Sequence, residues 1–486
     1  LTTSLPDKAG SFWWHSHHLS QYAFGLRGPM IVRPAELHDW EKDIDKEYII
    51  QLGDLYHQAP VAVPIWDTIV INNRGRYNCT ATATHNFTNC TDVQPLSKFQ
   101  FEAGKKYLLR LISMVALAPI EFSIDDHEFR VVAADADYLE PSQPINWIFI
   151  NAGQRYDIVV EAKKSTSNEH INSFWMRAKG LHGIPWTEGT AENAGEGFVD
   201  EGLAIVSYDN KNQAESTTHK QQNHLLHGTP STAGTAEIAC EGFVDEGSAS
   251  SFHDIKDEPE PTTQKQQNLS TIPEFDFTPL EPGVLPDTPD DRMVVQFKME
   301  NGLGFFSIDG GEFRTFVSPA KPPLFSIAGG LKTEELPLDA NARKIEFGKH
   351  IEVVLVNVKG VQHPIHMHSH SPYCVATGTA PLEQIFNNTL PPLNLTNPMT
   401  RDVYTVPPCT LDANGSCTVF GYTVLRFWAD NPGVWHFHCH IEWHIAAGLS
   451  MLLVEGEEEL QQKGVKSFSN SVLSVCGSNS SFSSSM

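Results

Sequence analysis

The sequence lacks long apolar runs and is poor in positive charge. No apolar run approaches the roughly 20 residues that a membrane-spanning helix needs, so we expect no membrane span. The 486 residues include 34 Lys and Arg against 59 Asp and Glu, a formal net charge of −25 at pH 7. This acidity speaks against nucleic acid and anionic membrane surfaces as partners.

Cysteine is scarce, with 8 residues, and the Cys-x2-4-Cys spacing of structural zinc sites is absent. Cys79 and Cys90 flank a loop rich in Asn-x-Ser/Thr sequons, and Cys409 and Cys417 flank the turn in "CTLDANGSC". Both pairs are typical of short-loop disulfides in an oxidising compartment. Together with the sequons they predict a secreted glycoprotein. The sequons lie at Asn78, Asn86, Asn89, Asn268, Asn387, Asn394, Asn414 and Asn479.

The apolar residues form short alternating runs rather than long helical patterns. These runs are rich in Val, Ile, Tyr and Phe and are separated by Gly, Asn and Pro, the pattern of β-sandwiches. The chain carries 34 Gly, 31 Pro and 27 Phe. It is long enough for two to four domains. We therefore predict an all-β architecture.

An internal repeat interrupts this pattern. "HGIPWTEGTAENAGEGFVDEG" starts at His182 and "HGTPSTAGTAEIACEGFVDEG" at His227, an offset of 227 − 182 = 45. Repeat architectures need about three or more units, and the second copy has lost the strand "GLAIVSYD". We interpret 227–271 as a tandem duplicate of 182–226, and we expect this second copy to lie in an acidic, disordered linker. A regulatory insert is the alternative.

Three segments concentrate histidine around a single cysteine. In an extended strand successive side chains point to opposite faces. His438 and His440 would therefore face one way and Cys439 the other, so one strand could serve two metal centres. The segments are "WWHSHH" with His15 and His17, "HPIHMHSH" with His363, His366, His368 and His370, and "HFHCHIEWH" with His436, His438, Cys439, His440 and His444.

The ligand types indicate copper. A thiolate with two imidazoles is the ligand set of a blue-copper electron-transfer site. Cys439 and His444 lie five residues apart, and His363 could supply the second nitrogen from another strand. Three His-x-His pairs suit a polynuclear, all-imidazole copper cluster. The alternative is adventitious metal binding by surface histidines, which three pairs and an embedded cysteine disfavour.

"GSFWWHSHHLSQY", "HPIHMHSH" and "HCHIEWHIAAGL" resemble, in order, three of the four copper motifs of multicopper oxidases of the laccase type. The resemblance implies that Cys439, His363 and His444 hold type 1 copper, with Leu449 at the non-ligating axial position. It gives His370 and His436 no ligand role. It implies that His366 holds type 2 copper and that the type 3 pair is bound by His15, His17, His368, His438 and His440.

The resemblance also implies three cupredoxin-like Greek-key sandwiches and, in full-length members, four copper ions. We expect residues 1–37 to be a remnant of the first domain, 38–210 the second, 211–272 the linker, and 273–486 the third domain with the type 1 site. The family's His-x-His-Gly motif, which supplies one type 2 and one type 3 ligand, is not in this sequence. We therefore expect an N-terminally truncated chain with an incomplete cluster.

The implied activity is that of an oxidase. Phenolic or similar donors would lose single electrons at type 1 copper, and dioxygen would be reduced to water at the cluster, with Cys439, His438 and His440 as the catalytic link. Leu117 occupies a position that is often acidic in phenol-oxidising fungal members. The alternatives are an ascorbate oxidase-like enzyme, a ferroxidase-like enzyme, and a truncated copper-binding protein without oxidase activity.

Overall fold

A computed structural model describes residues 8–18, 20–57, 65–79, 90–91, 93–163, 173–187, 198–208, 260–262 and 269–475. The linker and the second repeat copy lie almost wholly outside these ranges, as do Cys240 and Cys476. Within them, no helix is long and apolar enough to cross a membrane. The domain boundaries remain predictions.

The chain opens with an antiparallel hairpin. Strands β1 (Gly10–His15) and β2 (Arg27–Val32) pair so that Gly10 faces Val32 and His15 faces Arg27. The turn between the two strands carries His17 and Tyr22. The hairpin therefore presents the first His-x-His pair at its closed end.

Two sheets form the next unit. One has the strand order β10-β7-β12-β13-β5 and the other β4-β3-β6-β11-β8-β9. β6 is buried along nearly its whole length, because both of its faces are covered. The strands are β3 (Lys46–Leu55), β4 (Thr68–Ile71), β5 (Ser97–Phe101), β6 (Lys106–Ser113), β7 (Ile120–Ile124), β8 (Phe129–Ala134), β9 (Asp137–Tyr138), β10 (Trp147–Ile150), β11 (Arg155–Glu161), β12 (Ser173–Gly180) and β13 (Glu201–Tyr208).

Two further sheets follow. One has the order β15-β14-β17-β23-β19-β20, with β22 also paired to β23, and the other has the order β16-β25-β24-β18-β21. The strands are β14 (Asp291–Glu300), β15 (Leu303–Ile308), β16 (Ala342–Ile345), β17 (His350–Asn357), β18 (His363–Met367), β19 (Tyr373–Ala380), β20 (Met399–Thr400), β21 (Val403–Val406), β22 (Thr410–Leu411), β23 (Cys417–Trp428), β24 (Gly433–Cys439) and β25 (Ser450–Glu455).

Helices are few and short. One of them directly follows the cysteine strand β24 and carries His444. The helices are α1 (Pro323–Ala328), α2 (Leu382–Phe386), α3 (Glu442–Ala446), α4 (Glu457–Lys463) and α5 (Asn470–Val475). The predicted disulfides Cys79–Cys90 and Cys409–Cys417 are both present. The all-β prediction is confirmed.

Buried ion pairs join the two larger units. Arg401 donates to both carboxylate oxygens of Asp135, at 2.8 and 3.0 Å, and to the Tyr156 hydroxyl at 2.7 Å. Arg155 donates two hydrogen bonds to the Asp402 carboxylate, one to each oxygen, at 2.6 and 2.7 Å. Burial would raise the pKa of Asp135, but Arg401 and Arg155 outweigh burial and hold this pKa well below its usual range. The carboxylate therefore stays charged.

Removing the charge of Asp135 should loosen this junction. We expect Asp135→Asn to lower the free energy of unfolding by about 3–5 kcal/mol, because buried Arg401 would lose its two-oxygen partner and keep only Glu274, at 3.2 Å, as a counter-charge. Because the folded-state pKa is depressed, the wild-type advantage should be present above the unfolded-state pKa and decline as the pH falls below it. Urea unfolding at several pH values measures this.

Asp39→Asn is the control, since Asp39 pairs with Lys42 on the surface with its side chain 98% exposed. It should leave the urea midpoint unchanged. Equal midpoints for the wild type and Asp135→Asn would contradict the assigned role.

Candidate metal centres

The end of β24 separates two groups of side chains. The thiol of Cys439 lies 3.5 Å from His363 Nδ1 and 3.6 Å from His444 Nδ1. His438 and His440 point to the other face, with their ring centroids 5.7 Å apart. The strand alternation expected from the sequence therefore occurs at these three consecutive residues.

Strand pairing and a short helix assemble the cysteine centre. β18 pairs antiparallel with β24, so that Ile365 faces Cys439 and the first residue of β18, His363, comes close to the thiol. His444 lies in α3, the helix directly after β24. The two Nδ1 atoms are 3.2 Å apart. The centre is thus built almost entirely from one sheet and the turn that follows it.

The spacing of this trio fits one metal ion. Ligands about 2.0–2.3 Å from an ion at near-trigonal angles lie about 3.5–3.7 Å apart. The observed separations are 3.5, 3.6 and 3.2 Å. Cys439, His363 and His444 are all buried. Burial lowers the pKa of His363 to about 3 and the pKa of His444 well below its usual value, so both rings are neutral and able to ligate.

Leu449 lies next to Cys439 through a backbone contact. Its side chain is fully buried, and its carbonyl accepts the N–H of Cys439 at 3.1 Å. A Cβ at Gly304 would lie 2.5 Å from the Leu449 Cβ, so β15 packs closely over this residue. A leucine offers no donor atom. The donor set is therefore one thiol and two imidazoles, as in blue-copper sites.

The second group is a cluster of histidines from three segments. His368 Nε2 and His438 Nε2 are 3.1 Å apart. One nitrogen from each of four residues falls within 4.8 Å of the others, and these are His17, His368, His436 and His438. Ring centroids link the remaining members, with His15 at 5.4 Å and His366 at 5.6 Å from His440.

Backbone carbonyls set the tautomers of three rings in this cluster. Nδ1 of His366 donates to the Asp402 carbonyl at 2.9 Å, and Nδ1 of His438 donates to the Cys439 carbonyl at 2.8 Å. His15 Nδ1 makes the same kind of contact with Ser16 at 3.1 Å. In each of these rings Nδ1 carries the proton, so the lone pair of Nε2 can ligate a metal ion. The cluster thus presents Nε2 atoms, whereas the cysteine centre presents Nδ1 atoms.

Burial keeps these rings uncharged. It is the largest cause that lowers the pKa of His15 to about 3 and the pKa of His17 to about 4, and neighbouring histidines lower both further. The pKa values of His368, His438 and His440 are lowered well below their usual value, again mainly by burial. Crowded neutral imidazoles are the form that binds transition metals.

The cluster is packed between the hairpin and the sandwiches. Trp13 of β1 stacks on His15 at 4.1 Å and on His440 at 5.3 Å. Gly153 has a φ of +80°, and a Cβ there would lie 2.2 Å from the His440 ring. Glycine is required at this position because the backbone itself contacts the imidazole.

Two histidines without a ligand role in the matched motifs lie in different places. His436 is within the histidine cluster, and its Nε2 contacts the Ser450 hydroxyl. The strand alternation that places His438 and His440 on one face also places His436 there. The position of His436 in the cluster could therefore have been predicted from the sequence. His370 lies apart, next to Glu455.

Glu442 has a further buried carboxyl group, and no sequence motif predicted a functional role for it. Burial raises the pKa of its carboxyl to about 8. Its neighbour Trp443 donates from Nε1 to the Tyr56 hydroxyl at 3.2 Å, and Tyr56 donates to Asp54 at 3.0 Å.

Tyr56 also lines a cleft of about 1030 Å³ that contains none of the clustered histidines. This cleft is therefore separate from both metal-ligand groups.

Comparison with known proteins agrees with this geometry. Three family models, each described as multicopper oxidase, match residues 2–37, 34–196 and 316–459. Laccase-1 of Fomitopsis schrenkii is 28% identical over 466 residues, covering 93% of this chain and 69% of the relative. Laccase-1 of Agaricus bisporus is 28% identical over 473 residues, covering 94% and 72%.

Solved structures show the same fold. The multicopper oxidase Fet3p, described as functioning in iron import, superposes with a TM-score of 0.66 at 22% identity, covering 97% of this chain and 76% of that chain. The laccase of Botrytis aclada also gives 0.66 at 22% identity, covering 96% and 73%. The chain belongs to the multicopper oxidase family. Its class is that of laccase-like, copper-dependent oxidoreductases, which confirms the class expected from the motifs.

Crowding at Gly153 yields a prediction about the cluster's packing. Gly153→Ala adds a Cβ against His440 and should cost about 1–3 kcal/mol of stability beyond the backbone penalty. Gly302→Ala is the matched control, because Gly302 has a similar φ of +75° but nothing within 4 Å of the added Cβ. Urea unfolding of both variants isolates the contact, and equal losses would show that His440 does not pack on this backbone.

Proposed function

We propose that this chain is a laccase-like oxidase whose electron-entry centre is a type 1 copper held by Cys439, His363 and His444. The supporting observation is the buried thiol and two imidazoles at mutual distances of 3.2–3.6 Å. Copper held by Cys439, His363 and His444 would supply one-electron oxidation of the donor, and copper held by the histidine cluster would supply the four-electron reduction of dioxygen to water. The protein's own residues would bind the ions, hold the ligand rings in orientation and connect the two centres.

Residues 438–440 connect the two centres. Cys439 is covalently joined on both sides to histidines of the cluster, and the His438 ring also donates to the Cys439 carbonyl at 2.8 Å. An electron that reaches the thiolate thus has a path of a few bonds to either imidazole. We propose His438, Cys439 and His440 as the catalytic link.

The remaining ligands are assigned by position in the motifs. Nε2 of His366 would bind type 2 copper, held in orientation by the Asp402 carbonyl. The type 3 pair would be bound by His15, His17, His368, His438 and His440. His438 and His440 are buried away from bulk water, whereas His17 lies exposed at the rim of the cluster.

Electron donors would approach the edge of the cysteine centre. Nε2 of His444 and of His363 face away from the thiol and have no hydrogen-bond partner among the described residues. Both atoms are buried, so a phenol or a similar small donor would dock on the surface that covers this edge. Bound ferrous ion needs carboxylates, and the loop at 381–402 offers only Glu383 before Asp402. We therefore favour diffusible organic donors over iron.

We propose secretion and glycosylation as the setting. Two disulfides close short loops, which is typical of oxidising compartments. The sequon asparagines within the described residues are all exposed, namely Asn78, Asn387, Asn394 and Asn414. Exposed acceptors are a requirement for attached glycans.

The proposal predicts oxygen uptake that depends on the thiol. The copper-loaded chain should consume dioxygen with a phenolic donor without releasing peroxide. Cys439→Ser should abolish uptake while copper at the histidine cluster remains, because the electron-entry ligand is gone. An oxygen electrode with ascorbate, ferrous ion and a phenol in parallel compares the alternatives. A wild-type chain that binds copper yet consumes no dioxygen with any donor would favour the copper-binding alternative.

A further inference from the structure

His370, Asp430 and Glu455 form a third group of ligand-type side chains. His370 follows β18, Asp430 lies between β23 and β24, and Glu455 ends β25. One ligand atom from each lies within 4.8 Å of the others. β24 and β25 pair so that Glu455 is opposite Gly433, three residues from His436 of the histidine cluster. At about 3.3 Å per residue, this group is about 10 Å along the sheet from the nearest histidine of that cluster on β24.

The ring of His370 is buried, which lowers its pKa, and backbone contacts with His368 and Trp428 oppose that effect. Its side chain is 6% exposed, and neither ring nitrogen has a well-formed hydrogen bond among the described residues. Nε2 nevertheless points at the Glu455 carboxylate, 3.3 Å from Oε2. The ring packs on Phe427, with centroids 4.8 Å apart. An imidazole nitrogen that faces a buried carboxylate without a well-formed hydrogen bond is in position to ligate a cation.

Glu455 is a buried carboxylate that lacks a basic partner. It is 1% exposed, and among the described residues no Lys or Arg nitrogen comes within 4.0 Å of it. Its Oε1 accepts the backbone N–H of Asn431 at 2.6 Å, which leaves Oε2 facing His370. Burial raises the pKa of Glu455 to about 7, against the effect of that hydrogen bond. A cation would compensate this charge.

The distances match tetrahedral coordination. Two ligands about 2.0–2.1 Å from one ion at tetrahedral angles lie about 3.3–3.4 Å apart. The His370 to Glu455 separation is 3.3 Å, and Asp430 Oδ1 is 3.9 Å from the same nitrogen. Asp430 is 76% exposed at its side chain, so it can move closer. We propose that His370, Glu455 and Asp430 bind a divalent cation of the zinc type, distinct from both copper centres.

Imidazole with two carboxylates favours zinc-type cations over calcium or magnesium, which prefer all-oxygen sites. The ion would tie the loop before β24 to the end of β25 and to the segment after β18. These are the strands that present the copper ligands. Its role would be to stabilise that end of the sheet.

The test adds zinc to the copper-loaded chain, so that the copper ligands are already occupied. Metal analysis after dialysis should find one zinc per chain in the wild type. Glu455→Gln keeps the shape and the Asn431 hydrogen bond, and it should weaken zinc binding at least tenfold with copper content unchanged. Asp430→Asn should weaken it less, because Asp430 is more exposed and farther away.

Glu458→Gln is the matched control, since Glu458 is exposed and pairs with Lys344 at 2.6 Å. It should bind zinc like the wild type. Zinc should also raise the thermal midpoint of the wild type and not of Glu455→Gln. Zinc that fails to bind, or that binds Glu455→Gln and the wild type equally, would overturn the proposal and leave a His–Glu ion pair. Neither result depends on oxidase activity.

Discussion

The pairing of β18 with β24 is the interaction on which the site depends. Because Ile365 faces Cys439 and His366 faces His438, two histidine-bearing strands are held in one register. Strand alternation then sorts their side chains. His363 and Cys439 lie on one face, and His366, His368, His438 and His440 lie on the other. A register shift of one residue would place thiol and imidazoles on the wrong faces.

The surrounding fold holds this register and closes the cluster. The N-terminal hairpin brings His15 and His17 against the sheet, with Trp13 stacked on both His15 and His440. Gly153 lets the neighbouring sandwich contact His440 directly. The ion pair of Arg401 with Asp135 fixes the same sandwich, and Asp402, the next residue, positions His366 through its carbonyl. The two candidate metal-ligand groups therefore contact residues of the junction between the two larger units.

From the sequence one can predict which side chains could bind a metal and which of them share a strand face. The long-range contacts that hold these side chains in place cannot be predicted in this way. Alternation and ligand types predict which side chains share a face at Cys439, because both are local properties. The same rule applied to His436 would have placed it in the cluster. The Arg401–Asp135 pair joins residues 266 apart, and the crowding at Gly153 depends on a neighbouring domain. No local pattern encodes such contacts. The domain boundaries and the linker over the 45-residue duplication remain predictions.

The central claim is that Cys439, His363 and His444 bind one copper ion through sulfur and two nitrogens. X-ray absorption at the copper edge, on protein loaded with a single equivalent of copper and compared with Cys439→Ser, tests it most directly. The account predicts one short copper–sulfur distance with two nitrogens in the wild type, and no sulfur in the variant. A wild-type spectrum with only nitrogen and oxygen neighbours at full copper occupancy of the folded chain would contradict it.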